Sequence, residues 1–160
     1  MRLNWSLFLS RIRQHPRSIL LLTLSIMLSV VFTVNSQIPA VRVVVNSSVV
    51  PQEMSVEQIR RIFSMRQTAW SDGKLITVYV LINQHETHQT FSTKVLGMFP
   101  YQLDRIWNKL VYSGLGEEPI KVRNEQEMLE LVSKQPGAIG YVMGQVDSDK
   151  VNVINVVKDK

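Results

Sequence analysis

Leu75-Ile-Thr-Val-Tyr-Val-Leu-Ile82 is the stretch that decides the fold. It is nearly all apolar and shows no alternation, so it predicts a strand covered on both faces, as strands of parallel sheets are. The turn signal Trp70-Ser-Asp-Gly73 precedes it, and the polar run Asn83-Gln-His-Glu-Thr-His88 follows. Upstream, Ser55 with Gln58 three residues later is a capping-box pattern. It opens a helix through about Phe63 with Val56, Ile59, Ile62 and Phe63 as its apolar face. Downstream, one helix is expected from near Glu86 to Leu96, stopping at Gly97. Another follows Pro100, with Leu103, Ile106, Trp107, Leu110 and Val111 at helical spacing. Asn124 caps a further helix with Glu127 at its third position, and Pro136-Gly137 ends it. Val41–Val45, Ile120–Val122, Ala138–Val142 and Val151–Val157 read as further strands. Strands alternating with helices imply an α/β domain, a mainly parallel sheet flanked by helices, over residues 37–160.

The first 36 residues read differently. Arg2, Arg11, Arg13 and Arg17 precede an uncharged apolar run, Ile19 to Val34, and Val34-Asn35-Ser36 offers small residues three apart before Gln37. A basic start, an apolar centre and a small-residue exit make an export signal. Two fates are open: cleavage after Ser36, or retention as an inner-membrane anchor through residues 18–34, since the run approaches the roughly 17 residues that span a bilayer. Either way residues 37–160 are expected in the periplasm.

The leader also explains the charge. The chain holds 18 Lys/Arg against 13 Asp/Glu, net +5. Four of the cations and none of the acids precede Gln37, leaving fourteen against thirteen, so the exported part carries net +1. No basic stripe remains for a phosphate backbone, which argues against nucleic acid. The chain has no cysteine, which excludes disulfides, thiolate zinc sites and thiol catalysis.

Candidate chemistry is sparse. His85-Glu-Thr-His88 looks like a metalloprotease helix, but that motif needs its second histidine four residues on, where Gln89 stands. No third ligand is evident, so no metal and no cofactor is expected. There is no Gly-x-Ser-x-Gly elbow and no phosphate-binding glycine loop, and the carboxylates look scattered over helix surfaces. The reading is non-enzymatic. The place left is the polar run Asn83 to His88, where a strand's C-terminal end meets a helix N-terminus; open α/β sheets bind ligands at such points. An ordinary capped polar loop is the alternative there.

The order of motifs resembles the phosphate-binding proteins of bacterial ABC transporters. Ser55-Val-Glu-Gln-Ile-Arg-Arg-Ile-Phe63, Trp70-Ser-Asp-Gly73, Tyr112-Ser-Gly114 and Pro136-Gly-Ala-Ile-Gly-Tyr-Val142 fall in that family's order, from about Val41 to Val142. The resemblance implies a single lobe of a type 2 periplasmic-binding-protein-like fold. It also implies a site: the family grips phosphate with a Ser-Gly-Thr turn opening a helix and an arginine shortly before it. With Phe91 fixing the alignment, His85, Glu86 and Thr87 fall on that turn and Leu81 on or near the arginine. Only Thr87 is kept, and Glu86 brings a negative charge to an anion site. Met65 likewise replaces a family glycine, with Arg66 at its lysine position.

The resemblance thus implies an exported solute-binding-like protein with a degenerate ligand site. Asn83, His85, Thr87 and His88 are its ligand-side residues, phosphate or another small anion is its weak ligand, and an ABC permease is its partner. Protonated His85 or His88 would restore part of the lost charge at mildly acid pH. The alternative is a non-transporting envelope module that meets a sensor kinase, a transporter or a second copy of itself. Membrane contact is expected only through the N-terminal segment.

Overall fold

β-Branched runs and capped amphipathic stretches alternate along the chain and form strands and helices, with the strand expected over Leu75–Ile82 confined to Thr77–Leu81 and Leu75 exposed. The computed structural model describes residues 40–50, 53–146 and 149–157. The leader, its Ser36-Gln37 junction and the anchor reading of residues 18–34 lie outside the described residues. In chain order the elements are β1 (Val41–Asn46), β2 (Glu53–Ser55), α1 (Val56–Phe63), β3 (Thr77–Leu81) and α2 (Glu86–Thr90). A π-helical segment, Phe91–Val95, continues α2 and is followed by α3 (Pro100–Tyr112), β4 (Ile120–Val122), α4 (Glu125–Lys134), β5 (Ala138–Met143) and β6 (Val151–Val157). No helix of the described residues is long and apolar enough to cross a membrane.

Six strands form one sheet in the order β2-β6-β1-β5-β3-β4. β2 with β6, β5 with β3 and β3 with β4 run parallel, whereas β1 runs antiparallel to both β5 and β6. The reversal at β1 and the short edge strand β2 had no signature in the residue pattern. Helix α4 covers β5, β1 and β3, and α1 packs against β2 and β6. Gly140 lets α4 lie close to β5: a Cβ there would stand 2.3 Å from Met128 Sδ.

The helix expected over Glu86 to Leu96 holds an irregularity that periodicity did not show. Thr87, His88, Phe91, Ser92 and Leu96 are buried, and Phe91 and Leu96 stand five residues apart. A five-residue step is that of a π turn, here closed by Leu96 N–H donating to Phe91 C=O at 3.0 Å. The wide turn puts Leu96 into the core where regular helix would have put Val95. Helix α3 is also less covered than its pattern suggested. Leu103 and Trp107 are buried, with the Trp107 indole donating to Phe63 C=O at 2.9 Å, but Val111 and Tyr112 are exposed.

The motifs that carried the family resemblance are mechanical parts of this frame. Ser55 Oγ accepts from Gln58 N–H at 3.2 Å and starts α1. At the other end Arg66 N–H reaches Arg61 C=O at 2.8 Å and Met65 N–H reaches Ile62 C=O at 2.9 Å, a Schellman closure with Met65 at φ 59°. Trp70 belongs to a turn whose indole donates to Gly137 C=O at 2.9 Å, tying the turn to the start of β5. Gly137 itself sits at φ 74°, and a Cβ would meet Leu75 C=O at 2.4 Å.

Met65 therefore keeps the backbone shape of a glycine position while carrying a side chain, at a cost of about 1–2 kcal/mol. Met65 also packs partly against the core, so the informative comparison is between two truncations. Met65→Gly is expected to be more stable than Met65→Ala by about 1 kcal/mol in urea unfolding. Equal stability of the two variants would show that the left-handed helix end imposes no such constraint.

Candidate functional site

The turn between β3 and α2 is assembled from inside the core outward. β5 and β3 pair only at Thr77↔Ala138 and Val78↔Ile139. Beyond that register, Leu81 N–H donates to the Tyr141 hydroxyl at 3.0 Å. The same hydroxyl lies 2.5 Å from His88 Nδ1. His88 Nδ1 is the acceptor within reach of the hydroxyl proton among the described residues, which assigns the histidine as the Nε2–H tautomer. Tyr141 also stacks on Phe91 with centroids 3.8 Å apart, and Phe63 meets Phe91 edge-on at 4.7 Å. Among the described residues, His88 Nε2 and Ser92 Oγ are buried side-chain atoms without a hydrogen-bond partner.

Burial drives the His88 pKa down to about 4, partly opposed by the Asp104 charge. The expectation that His88 would supply a positive charge at mildly acid pH is therefore overturned: its ring is buried and neutral there. Burial likewise pushes the Tyr141 hydroxyl far above the ordinary tyrosine range.

The other three residues singled out in the sequence stand around the mouth of the turn. His85 is the N-cap of α2, with Nδ1 accepting from Thr87 N–H at 3.2 Å. Thr87 is buried, and its hydroxyl donates to Glu125 Oε1. Asn83 donates through Nδ2 to Asp104 Oδ2 at 2.5 Å. The structure thus brings Asn83, His85 and Thr87 to one edge and turns His88 inward, away from them.

Two carboxylates complete the place, and sequence reading missed both. Glu125 is the first residue of α4, whose N-cap Asn124 accepts from Glu127 N–H at 2.9 Å. Its second oxygen accepts from Met143 N–H, at the end of β5, at 3.1 Å. Asp104 comes from α3. Each lies some twenty to forty residues from the turn in sequence, so local spacing held no signal for either. Capping does explain one of them: acids collect at a helix N-terminus, and Glu125 occupies that position.

Beside the turn, the start of α3 and the exposed side of α2 enclose an open groove of about 740 Å³. Among the described residues no cluster of three or more His, Asp or Glu side chains could hold a metal ion.

No protein-family model and no curated protein sequence matches this chain. Solved structures do match in fold. An ABC-type phosphate transport receptor from Vibrio cholerae superposes with a TM-score of 0.56 at 19% identity, over 74% of this chain and 46% of that one. PstS from Borrelia burgdorferi gives 0.56 at 12% identity, over 74% and 47%. A phosphate-binding protein from Stenotrophomonas maltophilia gives 0.51 at 19%, over 74% and 39%. The chain therefore has the fold of one lobe of the phosphate-binding proteins, and it spans less than half the length of these structures.

The buried histidine makes a pH test. An unfolded histidine titrates near 6.5 and the folded one near 4, so between those values the unfolded chain holds the proton and the folded chain does not. Stability from this residue is complete above about pH 6.5 and is lost as pH falls toward 4. Relative to a His88→Phe variant, the parent should lose about 2 kcal/mol more unfolding free energy between pH 7 and pH 4.5. Parallel pH profiles in denaturant titrations would overturn the buried-neutral assignment.

Proposed function

We propose that this chain is a non-enzymatic, solute-binding-type lobe in the periplasm whose anion turn is occupied by its own carboxylate. It works as an envelope interaction module rather than as a carrier of phosphate. One observation carries this: Glu125 holds Thr87 Oγ with one oxygen and Met143 N–H with the other. Thr87 is the single residue of the family's Ser-Gly-Thr turn that survives here, and the group bonded to it is already an anion. A phosphate would have to displace that carboxylate, which stays attached to α4, and approach Glu86 and Asp104 as it did so. Like charges disfavour binding, and buried Leu81 lies on or near the position that the resemblance gives to the arginine that would offset them.

The fold supports the solute-binding ancestry, and the resemblance to export signals at residues 1–36 supports the location. Partner and location remain part of this reading: a sensor kinase or a transporter subunit in the inner membrane is the partner class that an exported or anchored lobe would meet.

Calorimetric titration tests the reading. The full-length chain should give no heat with phosphate, sulfate or acetate at pH 7 or pH 5.5. A saturable phosphate isotherm with Kd below about 1 mM would overturn it, because a site closed by its own carboxylate could not provide the more than about 4 kcal/mol that this affinity represents. Glu125→Ala frees the Thr87 hydroxyl and Met143 N–H, so any residual anion affinity should appear first in that variant.

A further inference from the structure

The groove beside the turn differs in chemistry from an anion site. Its carboxylates are Glu86 and Asp104, and no Lys, Arg or His is among its lining residues. Lys94 and Arg105 neighbour lining residues in sequence but do not line it. Among the described residues, no hydrogen bond or ion pair reaches the Glu86 carboxylate, which is exposed. Asp104 spends one oxygen on Asn83.

The wall opposite α2 is aromatic. Phe99 and Tyr101 are 57% and 58% exposed, and their rings stack with centroids 5.8 Å apart and planes within 10°. Their position is fixed by the start of α3: Phe99 N–H donates to Gln102 Oε1 at 2.8 Å, and Pro100 opens the helix. Large aromatic rings half open to water beside carboxylates form a surface suited to a planar cation, which stacks on a ring face while its N–H groups meet the acids. Gln89, Thr90 and Thr93 also line the groove. The Thr93 hydroxyl donates to Gln89 C=O at 2.7 Å and Gln89 Nε2 to Asn83 C=O, which leaves the Thr93 and Gln89 side-chain oxygens as acceptors for a peptide backbone. The groove is open and larger than one side chain needs, which favours a segment of chain over a single small amine.

We propose that this groove is a docking site for an extended basic peptide segment of a partner protein, with an arginine side chain between Glu86, Asp104 and the Phe99–Tyr101 stack. The proposal rests on the reading of the chain as an interaction module and names the surface and chemistry of the partner. Charge complementarity selects the occupant: the exported part is near neutral overall, so a negative, aromatic-walled groove is a local feature rather than a share of a general field.

The test uses full-length chain in neutral detergent, titrated by calorimetry with capped hexa-arginine, hexa-lysine and hexa-glutamate peptides and with arginine amide. Hexa-arginine should bind, hexa-lysine more weakly because it cannot stack, and hexa-glutamate not at all. Glu86→Gln combined with Asp104→Asn should weaken hexa-arginine at least about tenfold, as expected for loss of paired charge at a recognition site. Tyr101→Ala should weaken it by about threefold or more, and Glu117→Gln, an exposed acid outside the groove, should change nothing. If Asp104→Asn lowers the melting temperature, Glu86→Gln alone carries the comparison, since that carboxylate holds nothing in the fold. Absence of hexa-arginine binding, or binding indifferent to Glu86 and Tyr101, overturns the proposal. Arginine amide binding as tightly as hexa-arginine would overturn the peptide occupant in favour of a small cation. A silent groove together with silent phosphate leaves the interaction-module reading standing and removes only this surface, whereas tight phosphate binding removes that reading whatever the peptides do.

Discussion

A backbone N–H inside a sheet needs an acceptor, and at Leu81 the neighbouring strand does not provide one. β3 and β5 part after two paired positions, and an unmet N–H there would cost about 1–3 kcal/mol. The Tyr141 hydroxyl fills the gap, accepting from Leu81 and donating to His88. Its ring lies flat on Phe91, so the position of the hydroxyl is set by aromatic packing rather than by a flexible tether. The turn between β3 and α2 hangs from this wedge. It fixes where β3 ends, holds the first turn of α2 through His88, and so sets where Thr87 and His85 emerge.

The wedge also explains why His88 cannot serve the solvent side. A histidine that accepts from a buried tyrosine in a core of Phe63, Phe91 and Leu81 is held neutral by desolvation. Its remaining nitrogen is an unpartnered donor, as is Ser92 Oγ one helical turn on. These two atoms lie on the helix that changes from α to π winding at Phe91. The π turn brings Leu96 inward to close the core beneath them. Packing has here been favoured over polar satisfaction, and the cost falls on a residue that the family resemblance had assigned to the ligand side.

Much of this frame was legible in the residues. The run Leu75–Ile82 gave a covered strand over Thr77–Leu81, though Leu75 and Ile82 lie outside it and are exposed. Ser55 and Asn124 gave two helix starts, and Pro136-Gly-Ala-Ile-Gly-Tyr-Val142 gave the strand that carries Tyr141. Each of these depends on interactions within a few residues, or on burial that composition reports directly. The antiparallel direction of β1 was not legible, because a buried run of valines reads the same in either direction. Nor was the inward turn of His88, since i and i+3 positions share a face only where the first residue lies within the helix, and His85 is its cap. Glu125 and Asp104 were beyond reach for a different reason: their partners, Thr87 and Asn83, are brought to them only by the tertiary fold.

These two carboxylates and Leu81 belong to one electrostatic argument. An anion site tolerates no nearby carboxylate while an arginine holds the ligand, because ligand and side chain would compete for the same cation. With buried Leu81 on or near the position that the resemblance gives to the arginine, no such competition arises, and α4 places Glu125 on Thr87 Oγ and Met143 N–H. Glu125 is the first residue of α4, where a negative charge is favoured by the helix N-terminus. Once the turn is satisfied internally, the acids at its rim no longer oppose a function, and Glu86 and Asp104 can face outward beside Phe99 and Tyr101. Under the proposed docking, the same edge would take a cation in the groove rather than an anion within the turn.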